Sequence, residues 1–261
     1  MLLVCDVGNT NLVFGVFNGE KLISDFRIGT DTKKTSDEYG ILVKSMLEQD
    51  NIRITDINDV IISSVVPEVM HSLENFSLKY CGKNPYLVGH GLKTGINIKY
   101  QNPAQVGADR IVNAVGSLAL YKGPMVIVDF GTATTFCAVT ENADYLGGAI
   151  APGPKISAEA LFVKTSMLPN IEIVKPEAAI GKNTIWAMQS GIYYGYVGLV
   201  DNIVDKIMEE IRRYEKNEEK EIKVIATGGL SSLIVPGSKH KIIINKNLTL
   251  EGLRFIYEKN C

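Results

Sequence analysis

Apolar and polar residues alternate through positions 2–28, interrupted at Asn18-Gly19-Glu20, and this pattern predicts a meander of three strands with a tight second turn. The period then changes. Thr35-Ser36-Asp37-Glu38 has capping-box spacing, and Tyr39, Leu42, Val43, Met46 and Leu47 follow at helical intervals. Residues 59–65 (Asp-Val-Ile-Ile-Ser-Ser-Val) read as a buried strand, and Pro67 suits the first turn of a helix running towards Tyr80. Strands, helix, strand, helix is the order of a mixed α/β layer domain.

Further on, residues 103–121 predict a helix containing Gly107-Ala108-Asp109-Arg110, and residues 125–139 predict a hairpin. Residues 184–214 carry the longest helical pattern, with Gly191, Gly195 and Gly198 inside it. Glycines at that spacing more often permit close helix packing than mark a ligand site, although each costs up to about 1 kcal/mol relative to Ala. The charged run 216–223 reads as a solvated connection. It leads to a buried strand at 222–226 that ends in Thr227-Gly228-Gly229, then a short helix and a C-terminal helix near 250–259.

One phrase occurs twice. Val4-Cys5-Asp6-Val7-Gly8-Asn9-Thr10-Asn11 leads into Leu12-Val13-Phe14-Gly15-Val16, and Val128-Asp129-Phe130-Gly131-Thr132-Ala133-Thr134 leads into Thr135-Phe136-Cys137-Ala138-Val139. Each copy has an apolar strand ending in Asp, a Gly two residues later, a turn of small amide and hydroxyl residues, and a returning strand. Gly lets a ligand approach the main chain, and the N–H and hydroxyl groups are donors for phosphate oxygens. Asp beside such a turn would repel phosphate unless a cation lay between them, so the pairing points to metal-bound nucleotide. One copy alone would read as an ordinary tight turn; two copies with matched flanks favour the phosphate role.

Length and charge narrow the classes. A chain of 261 residues forms one large domain or two ordinary ones, and a phrase recurring about halfway along favours two related halves. With 27 Lys+Arg against 29 Asp+Glu, bulk charge favours neither a nucleic-acid nor an anionic-membrane partner. Cys5, Cys81, Cys137 and Cys261 form no Cys-x-x-Cys pair, which argues against structural zinc and a disulfide scaffold. The N-terminal run lacks signal-peptide features, and no apolar stretch approaches the roughly 20 residues of a membrane span; the expectation is a soluble cytoplasmic protein.

Several familiar signatures are absent. Gly181-Lys182-Asn183-Thr184 lacks the upstream Gly and the Lys-Ser/Thr ending of a P-loop, and Gly89-His90-Gly91 lacks the third glycine of a dinucleotide fingerprint and reads as a loop. There is no Gly-x-Ser-x-Gly elbow, and His71, His90 and His240 sit near no obvious nucleophile in the sequence. Asp109-Arg110 admits two readings: an exposed ion pair, or a proton-accepting carboxylate beside an anion-binding guanidinium. Thr227-Gly228-Gly229 is a turn or a bed for adenine, and Gly147-Gly148-Ala149-Ile150-Ala151-Pro152-Gly153 is a rigid loop or the wall of a cleft.

Taken in order, the segments at 6–11, 107–110, 129–134, 148–153, 181–184 and 226–229 resemble those of type III pantothenate kinase over nearly the whole length. The resemblance implies the architecture of the acetate and sugar kinase, Hsp70 and actin superfamily: an α/β protein with duplicated ribonuclease H-like domains, residues 1–115 and 116–261, flanking a nucleotide-binding cleft. It implies that Asp6, Val7, Gly8, Asn9, Thr10, Asn11, Leu12 and Val13 bind ATP phosphates, with Thr132 doing so from the opposite side. It further implies that Tyr100, Gly107, Ala108, Asp109 and Arg110 contact pantothenate, with Asp109 as proton acceptor. Thr184 would reach substrate within a homodimer, and Asp129 would hold potassium or ammonium. ATP would enter with Mg²⁺, oriented by Asp6 through water, and the product would be 4′-phosphopantothenate, the entry to coenzyme A biosynthesis. Pro154 and Cys137 stand where many members carry an aliphatic residue and some an acidic one. The alternatives are a nucleotide-switched regulatory or assembly protein on the same scaffold, and a kinase of another small hydroxylated acid.

Overall fold

The computed structural model describes residues 1–89 and 91–261, so the middle residue of the expected loop at 89–91 lies outside the described residues. In chain order the elements are β1 (Leu2–Val7), β2 (Asn11–Asn18), β3 (Lys21–Gly29), α1 (Ser36–Gln49), β4 (Asp59–Ser64), α2 (Met70–Phe76), β5 (Tyr86–Leu87) and β6 (Asn97–Ile98). They continue with α3 (Ala108–Tyr121), β7 (Met125–Phe130), β8 (Ala133–Val139), β9 (Asp144–Pro152), α4 (Pro154–Lys164), α5 (Thr184–Glu215), β10 (Lys223–Thr227), α6 (Ser231–Ile234), β11 (Ile242–Ile244) and α7 (Leu248–Glu258).

The chain divides into two compact units that interleave. The first holds Met1–Gly95, Ala104–Ala119 and Leu248–Cys261; the second holds Ile96–Pro103 and Leu120–Asn247. The contiguous division expected at 115/116 therefore falls inside α3, and the last helix belongs with the first unit. The repeat in sequence is a repeat in topology. In the first unit the sheet runs β3-β2-β1-β4-β5; in the second it runs β11-β10-β7-β8-β9-β6. In each unit the strand bearing the repeated Asp pairs antiparallel with the next strand and parallel with a later one (β1 with β2 and β4, β7 with β8 and β10).

Both faces of β1 are covered, which is why it reads as a nearly unbroken apolar run. Leu3, Cys5 and Val7 share a core with Tyr39, Val43 and Leu47 of α1 and with Leu73 and Phe76 of α2. The predicted capping box holds α1: the Thr35 hydroxyl accepts the Glu38 N–H, and the Glu38 carboxylate accepts the Thr35 N–H. α7 packs on β1 and β4, and it meets α3 at two glycines. A Cβ at Gly252 would stand 2.2 Å from the Val112 carbonyl oxygen, and one at Gly116 would stand 2.8 Å from that of Leu248. In the second unit, Ile192, Tyr196, Val200, Val204 and Ile211 of α5 pack with Val126, Val128, Phe130 and Phe136 of β7 and β8.

Four expectations change. The helix expected from 103 starts at Ala108, after a short 3₁₀ turn at Pro103–Gln105. The helix after Pro67 begins as a 3₁₀ turn and ends in a π-turn at Ser77–Cys81. Residues 147–152 are part of strand β9, not a loop. Gly191, Gly195 and Gly198 pack against nothing in this chain, since a Cβ at any of them would meet open space.

Candidate active site

In the first unit, the turn after β1 is closed by the Gly8 N–H donating to the Asn11 carbonyl at 3.0 Å. Thr30, just beyond β3, clamps it from outside. Its hydroxyl donates to the Gly8 carbonyl at 2.6 Å, and its N–H donates to that of Thr10 at 3.0 Å. Asn9, Thr10 and Asn11 are exposed at the tip. Val7 and Leu12 are buried in the core, so they offer a ligand only their main chain. Asp6, half-buried at the end of β1, lies in register with Ser63 of parallel β4. The Ser63 hydroxyl donates to Asp6 Oδ1 at 2.5 Å.

The start of α3 lies in the same unit and beside the exit of β4. Val65 donates its N–H to the Val7 carbonyl at 3.1 Å, and its side chain would be 3.5 Å from a Cβ placed on Gly107. Such a Cβ would stand only 2.5 Å from Asp109 Oδ1, so the carboxylate folds back over the Gly107 position. Asp109 Oδ1 accepts the Arg110 N–H at 2.8 Å. Burial pushes the Asp109 carboxyl above the usual carboxylate range, opposed by that N–H and by the Arg110 charge. Arg110 itself is 5 % exposed, which overturns the reading of Asp109-Arg110 as an exposed ion pair.

In the second unit, Asp129 near the end of β7 pairs with Thr135 on one side and Thr227 on the other. Thr132 is exposed at the turn. Gly153 seals the turn's base: its N–H donates to the Thr132 carbonyl at 3.1 Å, and a Cβ there would lie 2.2 Å from that same oxygen. Gly228, with φ +88°, follows β10 and touches the same region. A Cβ at Gly228 would stand 2.6 Å from Asp129 Oδ1 and as close to the Phe130 backbone. Thr227-Gly228-Gly229 is therefore a turn packed directly against Asp129 and the Phe130 backbone, where a side chain does not fit.

Two further candidates lie in this unit. The Tyr100 ring stands 3.3 Å from where a Gly147 Cβ would be. Thr184 is the exposed first residue of α5, whose cap is Asn183, with its side chain accepting the Trp186 N–H at 2.9 Å. That role for Asn183 accounts for the Gly-Lys-Asn-Thr segment without a P-loop.

Among the described residues, no three of His, Cys, Asp and Glu cluster closely enough to hold a metal together. One carboxylate plus substrate phosphates is a common way to hold Mg²⁺, and Asp6 beside a donor-rich turn suits it. Thr30, Ser63 and Gly153 were not singled out from sequence for these contacts. Ser63 left a trace there, as a polar residue at the end of an otherwise apolar strand.

The sequence model of a family described as type III pantothenate kinase matches residues 2–206. A solved structure from Campylobacter jejuni, provisionally described as a Baf family transcriptional activator, superposes with TM-score 0.62 at 20% identity, covering 99% of this chain and 98% of that one. One from Sinorhizobium meliloti, provisionally described as a 2-dehydro-3-deoxygalactonokinase, gives 0.55 at 9% identity, covering 100% and 96%. Component A of (R)-2-hydroxyglutaryl-CoA dehydratase from Acidaminococcus fermentans gives 0.51 at 12% identity, covering 98% and 96%. At these identities the likeness establishes the fold, two ribonuclease H-like domains, and leaves each activity with its own protein.

Proposed function

Since the chain belongs to the type III pantothenate kinase family, and by that membership to the kinases, we propose that it transfers the γ-phosphoryl group of ATP to the primary hydroxyl of pantothenate, yielding 4′-phosphopantothenate. The observation that carries this reading is Asp109: a half-buried carboxylate with a raised pKa, in the same unit as the Asp6 turn and joined to it through the exit of β4. A raised pKa strengthens a base, and the Arg110 N–H and charge favour its ionised form. Asp109 takes the proton of the pantothenate hydroxyl as that oxygen forms its bond to phosphorus and the bond to ADP breaks. The main chain and small side chains of residues 6–13, together with Thr132, hold the phosphates. Tyr100, Gly107, Ala108, Arg110 and Thr184 orient pantothenate.

Bound Mg²⁺ and a monovalent cation supply charge neutralisation on the phosphates, with Asp6 and Asp129 as their respective protein carboxylates. Positioning and fixed electrostatics account for most of the rate in such a transfer. A homodimer belongs to the same proposal. Phe162, Val163, Met167, Ile180 and Trp186 are exposed in the second unit, and the Gly191, Gly195 and Gly198 row of α5 leaves open space that a partner's helix would fill. The setting proposed is the cytoplasm; among the described residues no helix is long and apolar enough to cross a membrane.

Incubating the purified chain with Mg-ATP, potassium and a panel of hydroxylated acids, and identifying products by mass, tests the substrate. Phosphorylation of pantothenate above the other acids supports the proposal. Turnover of a different acid with pantothenate untouched replaces it.

A further inference from the structure

We infer that Ser63 is a positioning residue: its buried hydroxyl fixes the Asp6 carboxylate in the orientation that receives the magnesium of bound nucleotide. The inference rests on the role of Asp6 proposed above.

β4 is an apolar strand in which Val60, Ile61 and Ile62 are all buried, and packing alone would continue that run. Ser63 breaks it although the position is 0 % exposed. A hydroxyl in such a place costs stability unless it is hydrogen-bonded. The parallel register sets Ser63 opposite Asp6, and its Oγ donates to Asp6 Oδ1 at 2.5 Å. The contact engages one oxygen of the carboxylate and restricts rotation of the group. Two residues on, Val65 bonds to the Val7 carbonyl and abuts Gly107 under the Asp109 carboxylate. The end of β4 and the residue just beyond it thus contact one carboxylate and the glycine beside the other.

Ser64 provides the contrast. Its hydroxyl accepts the Val66 N–H at 3.0 Å and donates to the Val66 carbonyl at 3.1 Å, a local bond that shapes the strand exit and touches no carboxylate. The two serines are adjacent yet predict different phenotypes.

Titration calorimetry with a non-hydrolysable ATP analogue, with and without Mg²⁺, tests this in the full chain. Removing a hydrogen bond that orients a metal-binding carboxylate typically lowers affinity or activity about 10–100-fold. Ser63→Ala should lose about that much of the magnesium-dependent gain in nucleotide affinity, with magnesium-free affinity unchanged. Ser64→Ala should leave both unchanged, and Ser63→Ala should add nothing in an Asp6→Asn background. If Ser63→Ala does not fold, Ser63→Cys, similar in volume and a weak donor, takes its place with the same expectation. An equal loss with and without magnesium assigns Ser63 a purely structural role and overturns the inference, as does an unchanged magnesium response. A wild-type chain whose nucleotide affinity ignores magnesium overturns the parent reading of Asp6 instead.

Discussion

Asp109→Asn should stabilise the folded chain at pH 7 while disabling it. In the native state burial raises the Asp109 carboxyl pKa, and the Arg110 N–H and charge only partly offset this. In the unfolded chain the same carboxyl titrates near an ordinary value of about 3.9. Between those two values the native state binds more protons than the unfolded one, so this group's contribution to stability falls as pH rises and stays low above the native pKa. Each unit by which the folded pKa exceeds the unfolded one corresponds to about 1.4 kcal/mol. Asn does not titrate, and its carbonyl oxygen still accepts the Arg110 N–H, so the hydrogen bond survives while the charge goes. Urea unfolding of both proteins from pH 4 to pH 8 at fixed ionic strength measures the difference, in which the other carboxylates cancel. The variant should be the more stable at pH 7, with its advantage shrinking towards pH 4. A variant less stable at pH 7, or an advantage that grows as pH falls, refutes the electrostatic account of Asp109.

Gly228→Ala combines a positive φ with a Cβ 2.6 Å from Asp129 and Phe130; chemical denaturation should show a loss of about 2–4 kcal/mol, and a loss below half a kcal/mol would contradict the geometry. Asp129→Ala should abolish the potassium response of turnover, and a bulky organic cation should fail to replace potassium in the wild type; rates equal with and without potassium would remove the cation from the proposal. Light scattering at micromolar concentration should give the mass of two chains, and Trp186→Lys should shift it towards one; a wild-type monomer with full activity at high dilution would refute the dimer.

The fold was legible where local rules agree with tertiary demands. The α1 capping box, the meander and the buried strands all formed as the periodicities predict, because both faces of β1 and one face of α5 are covered by apolar partners. The topological repeat followed from a similar phrase of eight residues at 4–11 and seven at 128–134. Strands β5 and β6, two residues each, carry no periodicity to read, and β9 was masked by its paired glycines. Those glycines answer to a tertiary constraint: a Cβ at Gly148 would overlap the Phe136 carbonyl. The glycines of α5 meet open space, so the close packing that their spacing predicts does not form within this chain. Among the candidate residues, Asp6, Asp109 and Asp129 stand out in the sequence by type and context, whereas Ser63, Thr30 and Gly153 make contacts that only the fold brings together.

Transfer of label from γ-labelled ATP, measured in a single turnover with wild type and Asp109→Asn, tests the central claim most directly. In the wild type, label should move to pantothenate as an ester of its primary hydroxyl. The variant should bind ATP normally while transfer slows about 10²–10⁴-fold, or about 3–5 kcal/mol of barrier. Label that stays on ATP or passes only to water, or an Asn variant within a few-fold of wild type, would contradict the assignment of Asp109 as the base for phosphorylation of pantothenate.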